Sequence, residues 1–295
     1  MNDQAETLRK LVSARVNPGA PQSGKGAARI LTVSSGKGGV GKSNFTLNFA
    51  LALKTLGCKV LLFDADIGMA NIDVLMGVRS RYNLYHLLKG ERDINEIIEL
   101  GTQALPFIAG GSGLADLFSL SESDLNVFTS QIETLSDEMD YIIFDTGAGL
   151  SKETLKFITA ADECLVVTTP EPTAITDAYA LIKVVHGMEE GANFRLVINR
   201  VTGEPEAQQV ADKISLVARR FLDMDIPTLG YIHDDTHVMQ AVKKQVPFSV
   251  AFPSCMAARD IQRLAFHYLN VPQVKPRDTL SGIKGFMHKW LKLAK

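Results

Sequence analysis

The sequence predicts an α/β fold: a doubly wound, mainly parallel sheet with helices on both faces and a helical appendage at each end. Three observations lead there. Seven short β-rich runs alternate with longer segments of helical character between Arg29 and Asn270. Apolar residues within those runs hardly alternate with polar ones, as strands buried on both faces require. A glycine-rich loop, GKGGVGKS at 36–43, follows the first run directly and opens a helical pattern. Ligands of doubly wound sheets sit beyond such carboxyl ends of strands.

In chain order, residues 1–12 place Ala5, Leu8, Leu11 and Val12 at helical spacing, with Asn2 and Asp3 positioned to cap the first turn. A short helix is expected there. Residues 13–28 hold two prolines and three glycines among small polar residues, the composition of a flexible linker. The body, 29–271, has expected strands at 30–34, 59–64, 105–110, 141–145, 163–169, 194–200 and 227–232, and closes on a helix near 255–269. Residues 272–279 form a second linker, and 280–295 a final separate helix.

Composition narrows the function. Lys and Arg number 31 against 33 Asp and Glu, a formal charge of −2, which gives no sign of a protein that coats nucleic acid by bulk charge. No window approaches the length of apolar chain that spans a bilayer, and the first thirty residues lack a secretory apolar core, so a cytoplasmic location is expected. Cys58, Cys164 and Cys255 lie far apart and form no CxxC. They are expected as small buried apolar residues in a reducing compartment.

The loop carries specific chemistry. Its glycines let backbone amides turn inward around phosphate oxygens, Lys42 reaches the β and γ oxygens, and Ser43 offers a hydroxyl to Mg²⁺. Gly36, Lys37, Gly38, Gly39, Val40, Gly41, Lys42, Ser43 and the adjoining Asn44 are therefore the expected nucleotide-binding segment. The second strand runs into FDADIGMANID, placing Asp64, Asp66 and Asp73 at or beyond the same edge, where a carboxylate can hold Mg²⁺ or position a water for in-line attack. For Asp73, a helix cap is an equal alternative. The fourth run, YIIFDTGAG, is a Walker B arrangement in which Asp145 is expected to hold Mg²⁺ through a water. Gly147 and Gly149 follow in a loop free to change shape when the γ-phosphate leaves.

Lys37, ahead of Gly38-Gly39, is not needed by an ordinary phosphate loop. This KGGxGKS form resembles the deviant Walker A motif of the MinD/ParA family of SIMIBI-type P-loop NTPases. The resemblance implies an ATP-bound homodimer in which Lys37 crosses to the phosphates of the partner subunit. It also implies that Asp66, the second acid of the DxD pair, orients the attacking water while Asp64 supports the metal shell. Lys37, Lys42 and Asp66 are thus the expected catalytic residues, and Ser43, Asp64 and Asp145 the metal set. By the same resemblance, Asn199 hydrogen-bonds the purine, and His233 occupies the second base-contacting loop, where relatives usually carry proline. Many relatives also have proline at the position of Gly147, which puts the geometry of the switch in question.

The final segment, LSGIKGFMHKWLKLAK, collects Leu280, Ile283, Phe286, Met287, Trp290, Leu291, Leu293 and Ala294 on one helical arc. Lys284, His288, Lys289, Lys292 and Lys295 fill the other. A sole tryptophan, a proline-containing linker and a wholly basic polar face predict an in-plane anchor on anionic lipids, held outside the core. Ile283, Phe286, Met287, Trp290 and Leu291 would enter the bilayer, with Lys284 and Lys292 at the headgroups. A helix docked on the protein's own core is the alternative. MinD-like ATPases carry a similar C-terminal targeting helix, and a peripheral location on the inner membrane face is implied for the ATP state.

At the other end, Asp3-Gln4-Ala5-Glu6-Thr7-Leu8-Arg9 resembles the DQxxxLR signature of the FlhG (YlxH) family of flagellar regulators. That resemblance implies control of flagellar number and placement, stimulation of an FlhF-type GTPase through Asp3, Gln4, Leu8 and Arg9, and contact with flagellar switch-complex (C-ring) proteins. Competing readings are a ParA-like DNA- or cargo-positioning ATPase, a MinD-type division-site regulator, an iron–sulfur scaffold and a metabolic kinase. The near-neutral charge disfavours DNA, and the isolated cysteines disfavour a cluster.

Overall fold

The computed structural model describes residues 27–66, 71–110, 138–188, 192–271 and 282–292, with 130, 131, 133 and 135. The expected N-terminal helix, with Asp3, Gln4, Leu8 and Arg9, lies outside the described residues. So do most of the first linker and all of the second.

Eight strands among the described residues form one sheet: β1 (Arg29–Ser35), β2 (Val60–Ala65), β3 (Ile98–Leu100), β4 (Pro106–Ile108), β5 (Tyr141–Ala148), β6 (Glu163–Thr168), β7 (Phe194–Val201) and β8 (Thr228–His233). Their order is β3-β4-β2-β5-β1-β6-β7-β8. Every neighbouring pair is parallel except β3 with β4. All seven expected strands are present. The added β3, a half-exposed IEL, is an antiparallel edge too short and too polar to register as a strand in sequence.

Among the described residues the α-helices are α1 (Lys42–Thr55), α2 (Ile72–Met76), α3 (Leu84–Leu88), α4 (Ile94–Ile97), α5 (Lys152–Ala160), α6 (Pro172–His186), α7 (Glu204–Leu222), α8 (Thr236–Lys243), α9 (Phe248–Ala251), α10 (Met256–Asn270) and α11 (Gly282–Lys292). Successive strand residues feed opposite layers, as a pleated sheet requires. Leu31 and Val33 of β1 join one cluster with α1 and α10, whereas Ile30 joins another with α5 and α11. Cys164 and Val166 of β6 join a third with α6 and α7. All three cysteines are buried and free, as expected.

Two expectations need correction. Ala28, assigned to the linker, is 1% exposed and belongs to the core. More consequentially, α11 is not held outside the body. Ile283, Phe286, Met287 and Trp290 are each at most 3% exposed, packed on α5 and β1. Phe157 of α5 tilts against both Phe286 and Trp290, with centroids 6.1 and 6.3 Å away. Lys156 covers the indole at 5.6 Å. A stripe of large apolar side chains is as well satisfied by an aromatic groove as by lipid, and the groove is built by residues distant in sequence. The side chains of Lys284, Leu291 and Lys292 lie outside the described set.

Candidate nucleotide site

β1 delivers the chain to the sheet's carboxyl edge, where the loop turns and α1 begins. Gly41 enters α1 with φ 90°, a left-handed conformation, and a Cβ there would lie 2.4 Å from Asn199 Nδ2. Gly36 needs the lack of a side chain for another reason: a Cβ would lie 2.2 Å from the Asp177 carbonyl of α6. The loop thus fits between α6 and the end of β7.

A cavity of about 760 Å³ opens over the loop, lined by Gly38, Gly39, Gly41, Lys42, Ser43, Asn44 and Asp66, with Gly147 and Ala148 opposite. Beneath it, Lys42 Nζ donates to Asp145 Oδ1 (2.9 Å) and sits 3.3 Å from Ser43 Oγ. The Thr46 hydroxyl also donates to Asp145 Oδ1 (2.7 Å). The Lys42–Asp145 pair is buried, 7% and 1% exposed. Asp145 Oδ2 is buried with no hydrogen-bond partner among the described residues. A buried carboxylate oxygen left bare, in a site that also holds a serine hydroxyl, suits a hydrated hard cation, so these residues fit Mg²⁺. Ser43 and Asp145 would hold it, and bound Mg²⁺ would neutralise charge on the transferred phosphoryl oxygens.

Asp64, opposite Asp145 in the β2–β5 register, is committed differently. It accepts the amides of Asn71 (2.9 Å), Ile72 (3.1 Å) and Asp66 (3.2 Å), anchoring the chain that carries Asp66 over the cavity. Burial and the nearby Asp145 push its carboxyl up to about 7. Asp73 accepts from the Val74 amide (2.7 Å) in the first turn of α2 and lines neither recess; the N-cap of that helix is Asn71, so Asp73 is not its cap.

Lys37 turns away from the cavity. Its ammonium donates to Glu171 Oε2 and Thr173 Oγ1, both at 2.9 Å, at the start of α6. Gly36 and Val40 likewise do not line the cavity; Val40 is buried and its carbonyl accepts from Asn199 Nδ2 (2.8 Å). Asn199 and His233 do meet, in a second recess of about 50 Å³ that they share with Gly41 and Asn44. Sequence reasoning missed Arg200, which lines both spaces. It occupies a bulge between Asn199 and Val201 with φ 57°. Ser151, Glu153 and Thr154 were also missed. They follow the DTGAG loop at the start of α5, and their position just past a Walker B loop was the available signal.

A loop of inward-facing glycines, a buried Lys–Asp pair and an acidic residue over the cavity define a P-loop nucleotide hydrolase. A family model described as an AAA domain matches residues 28–198. The chain is 36% identical over 267 residues to the flagellum site-determining protein YlxH of Helicobacter pylori, covering 90% of each. It is 36% identical over 240 residues to the antiactivator FleN of Pseudomonas aeruginosa, covering 80% of this chain and 85% of that one. The septum site-determining protein MinD of Pyrococcus horikoshii, solved with Mg-ADP, is 25% identical with a TM-score of 0.66, covering 81% and 94%. The chain belongs to the MinD/ParA family of P-loop ATPases, in the FlhG group that includes YlxH and FleN. It is an ATPase whose cofactors are ATP, ADP and Mg²⁺.

Proposed function

We propose that this ATPase is a positional switch for flagellar number and placement. ATP bridges two copies, the paired C-terminal helices then engage anionic lipid on the inner face of the membrane, and hydrolysis reverses both. The observation that carries this reading is Lys37. Its ammonium lies clear of the Lys42–Asp145 pair, on exposed Glu171 and Thr173, where a second copy can approach it. The name of the relative YlxH, a flagellum site-determining protein, supports the flagellar assignment.

Membrane binding requires α11 to leave its groove, since the side chains that would enter lipid are the ones buried on α5. Among the described residues no helix is long and apolar enough to cross a bilayer, so attachment is peripheral in this reading. Two anchors on one dimer bind far better than one through effective concentration.

The N-terminal segment is assigned to a second task, stimulation of an FlhF-type GTPase, with Gln4 orienting a water and Arg9 offsetting transition-state charge. Switch-complex proteins are further proposed partners, and nucleic acid is not. Light scattering coupled to size-exclusion chromatography tests the switch. Asp66→Ala should run as a dimer in ATP and a monomer in ADP, whereas Lys37→Ala should stay monomeric in both. Equal masses in ATP and ADP for Asp66→Ala would overturn the dimer. For the second task, a peptide of residues 1–20 should accelerate phosphate release by the GTP-loaded partner, and Gln4→Ala or Arg9→Ala should not.

A further inference from the structure

Thr46 lies one turn along α1 from Lys42 and is wholly buried, at 0% exposure. Its hydroxyl reaches two acceptors. One is the Lys42 carbonyl at 2.9 Å, the ordinary back-bond of a threonine inside a helix. The other is Asp145 Oδ1 at 2.7 Å. A hydroxyl has a single proton to give, and the carboxylate, at the shorter distance, is the stronger acceptor. The Lys42 ammonium reaches the same oxygen at 2.9 Å. Both donors thus converge on Oδ1, and Oδ2 is the oxygen left buried without a hydrogen-bond partner among the described residues.

The two donors differ in what a nucleotide does to them. Lys42 lines the large cavity, and in a loop of this kind its ammonium is the group that reaches phosphate oxygens, so a bound nucleotide competes with Asp145 for it. Thr46 lines neither the cavity nor the smaller recess. It offers phosphate nothing, and its branched side chain is stiff in a helix. The hydroxyl is therefore the donor that stays with Asp145 when the ammonium is drawn away.

We propose that Thr46 is a positioning residue for the metal site, keeping Asp145 turned with Oδ2 free for hydrated Mg²⁺ while Lys42 serves the phosphates. The inference rests on the nucleotide and metal reading of the 36–43 loop and Asp145. Thr46 touches neither ligand, so it acts through Asp145 alone. A metal ligand held by an outer hydrogen bond binds more tightly than one that must first be ordered, and loss of such a partner typically weakens the metal by about tenfold or more.

The test is calorimetric titration of the full chain with ADP, once in Mg²⁺ and once in EDTA, with thermal melting to show that each variant is folded. Thr46→Val keeps the branched shape without the hydroxyl. It should weaken ADP binding in Mg²⁺ by about tenfold and leave the EDTA value within about twofold of the wild type. Thr46→Ser restores the hydroxyl and should bind close to the wild type in both. Thr46→Ala reads the same loss if Thr46→Val does not melt cooperatively. An unchanged gain from Mg²⁺ in Thr46→Val overturns the inference. So does equal weakening in Mg²⁺ and EDTA, which would make Thr46 a support of the loop only, or a loss in Thr46→Ser as large as in Thr46→Val. A wild type that binds ADP equally well with and without Mg²⁺ is a different failure, since it overturns the metal set itself and the inference with it.

Discussion

Phe286 of α11 stacks on Phe144 of β5, with centroids 4.9 Å apart and 9° between the ring planes. Phe144 precedes Asp145, the buried partner of Lys42. The C-terminal helix and the nucleotide site therefore meet at adjacent residues of one strand, on opposite sides of its pleat.

Docking of α11 sets what vesicle experiments should read. Trp290 is 2% exposed, so its emission should already be blue-shifted in the free protein, and added lipid should change its wavelength little. Quenching by brominated acyl chains is the informative signal, and deletion of 280–295 should abolish vesicle sedimentation. Phe157→Ala removes the groove wall without touching the anchor and should cost about 3 kcal/mol of stability. It should also raise lipid binding in ADP, and unchanged binding would separate docking from membrane engagement.

The buried Lys42–Asp145 pair makes two site variants distinguishable. Lys42→Ala should lose stable ATP binding and leave Asp145 uncompensated, lowering stability by about 3–5 kcal/mol in a chemical melt. Asp66→Ala should melt near the wild type and bind ATP, while phosphate release falls by about a hundredfold or more. Wild-type hydrolysis in Asp66→Ala would rule out its water-orienting role.

Gly36 and Gly38 predict opposite outcomes in one loop. Gly36→Ala drives a methyl into the Asp177 backbone and should unfold the loop from α6, with a cost of at least about 3 kcal/mol. No atom lies within 4 Å of a Cβ at Gly38, so Gly38→Ala should fold normally and affect only nucleotide affinity. Melting temperatures and calorimetric ADP titrations separate the two.

Asp235 should make the start of α8 acid-sensitive. Burial opposes its ionisation, but hydrogen bonds from the His237 backbone and ring, and from the Ala257 amide, outweigh it and hold the carboxyl at about 2. Its folded value is below the ordinary 3.8, so its stabilisation is present above pH 3.8 and is lost as pH falls toward 2. Asp235→Asn should flatten that part of the acid-melting curve, and Asp235→Ala should cost about 1–2 kcal/mol at neutral pH through the lost α8 cap.

The strands and the phosphate loop were legible because their causes are local: unbroken apolar runs such as YIIF and VLLF, and glycines at fixed spacing before Lys42. Helix α11 was legible as an amphipathic stripe, but its cover was not. Phe144 and Phe157 become a groove only after β5 and α5 pack together. His233 and Asp260 meet across 27 intervening steps of chain through the packing of β8 on α10, a contact no short motif announces. Lys37 was singled out by its place in the loop, yet its parking on Glu171 and Thr173 depends on where α6 begins.

The central position of β1 has a consequence for biosynthesis. Arg29 pairs with Tyr141 on one side and Leu31 with Glu163 on the other, so β1, the first of the described strands to leave the ribosome, waits for both of its neighbours. At about 5–20 residues per second, that wait is on the order of ten seconds. Throughout it, ILTVS is an unpaired apolar edge and the glycine loop behind it has no fixed shape. A nascent chain therefore gains nucleotide affinity only after β5 and β6 have been translated, and until then β1 is exposed for chaperones to bind.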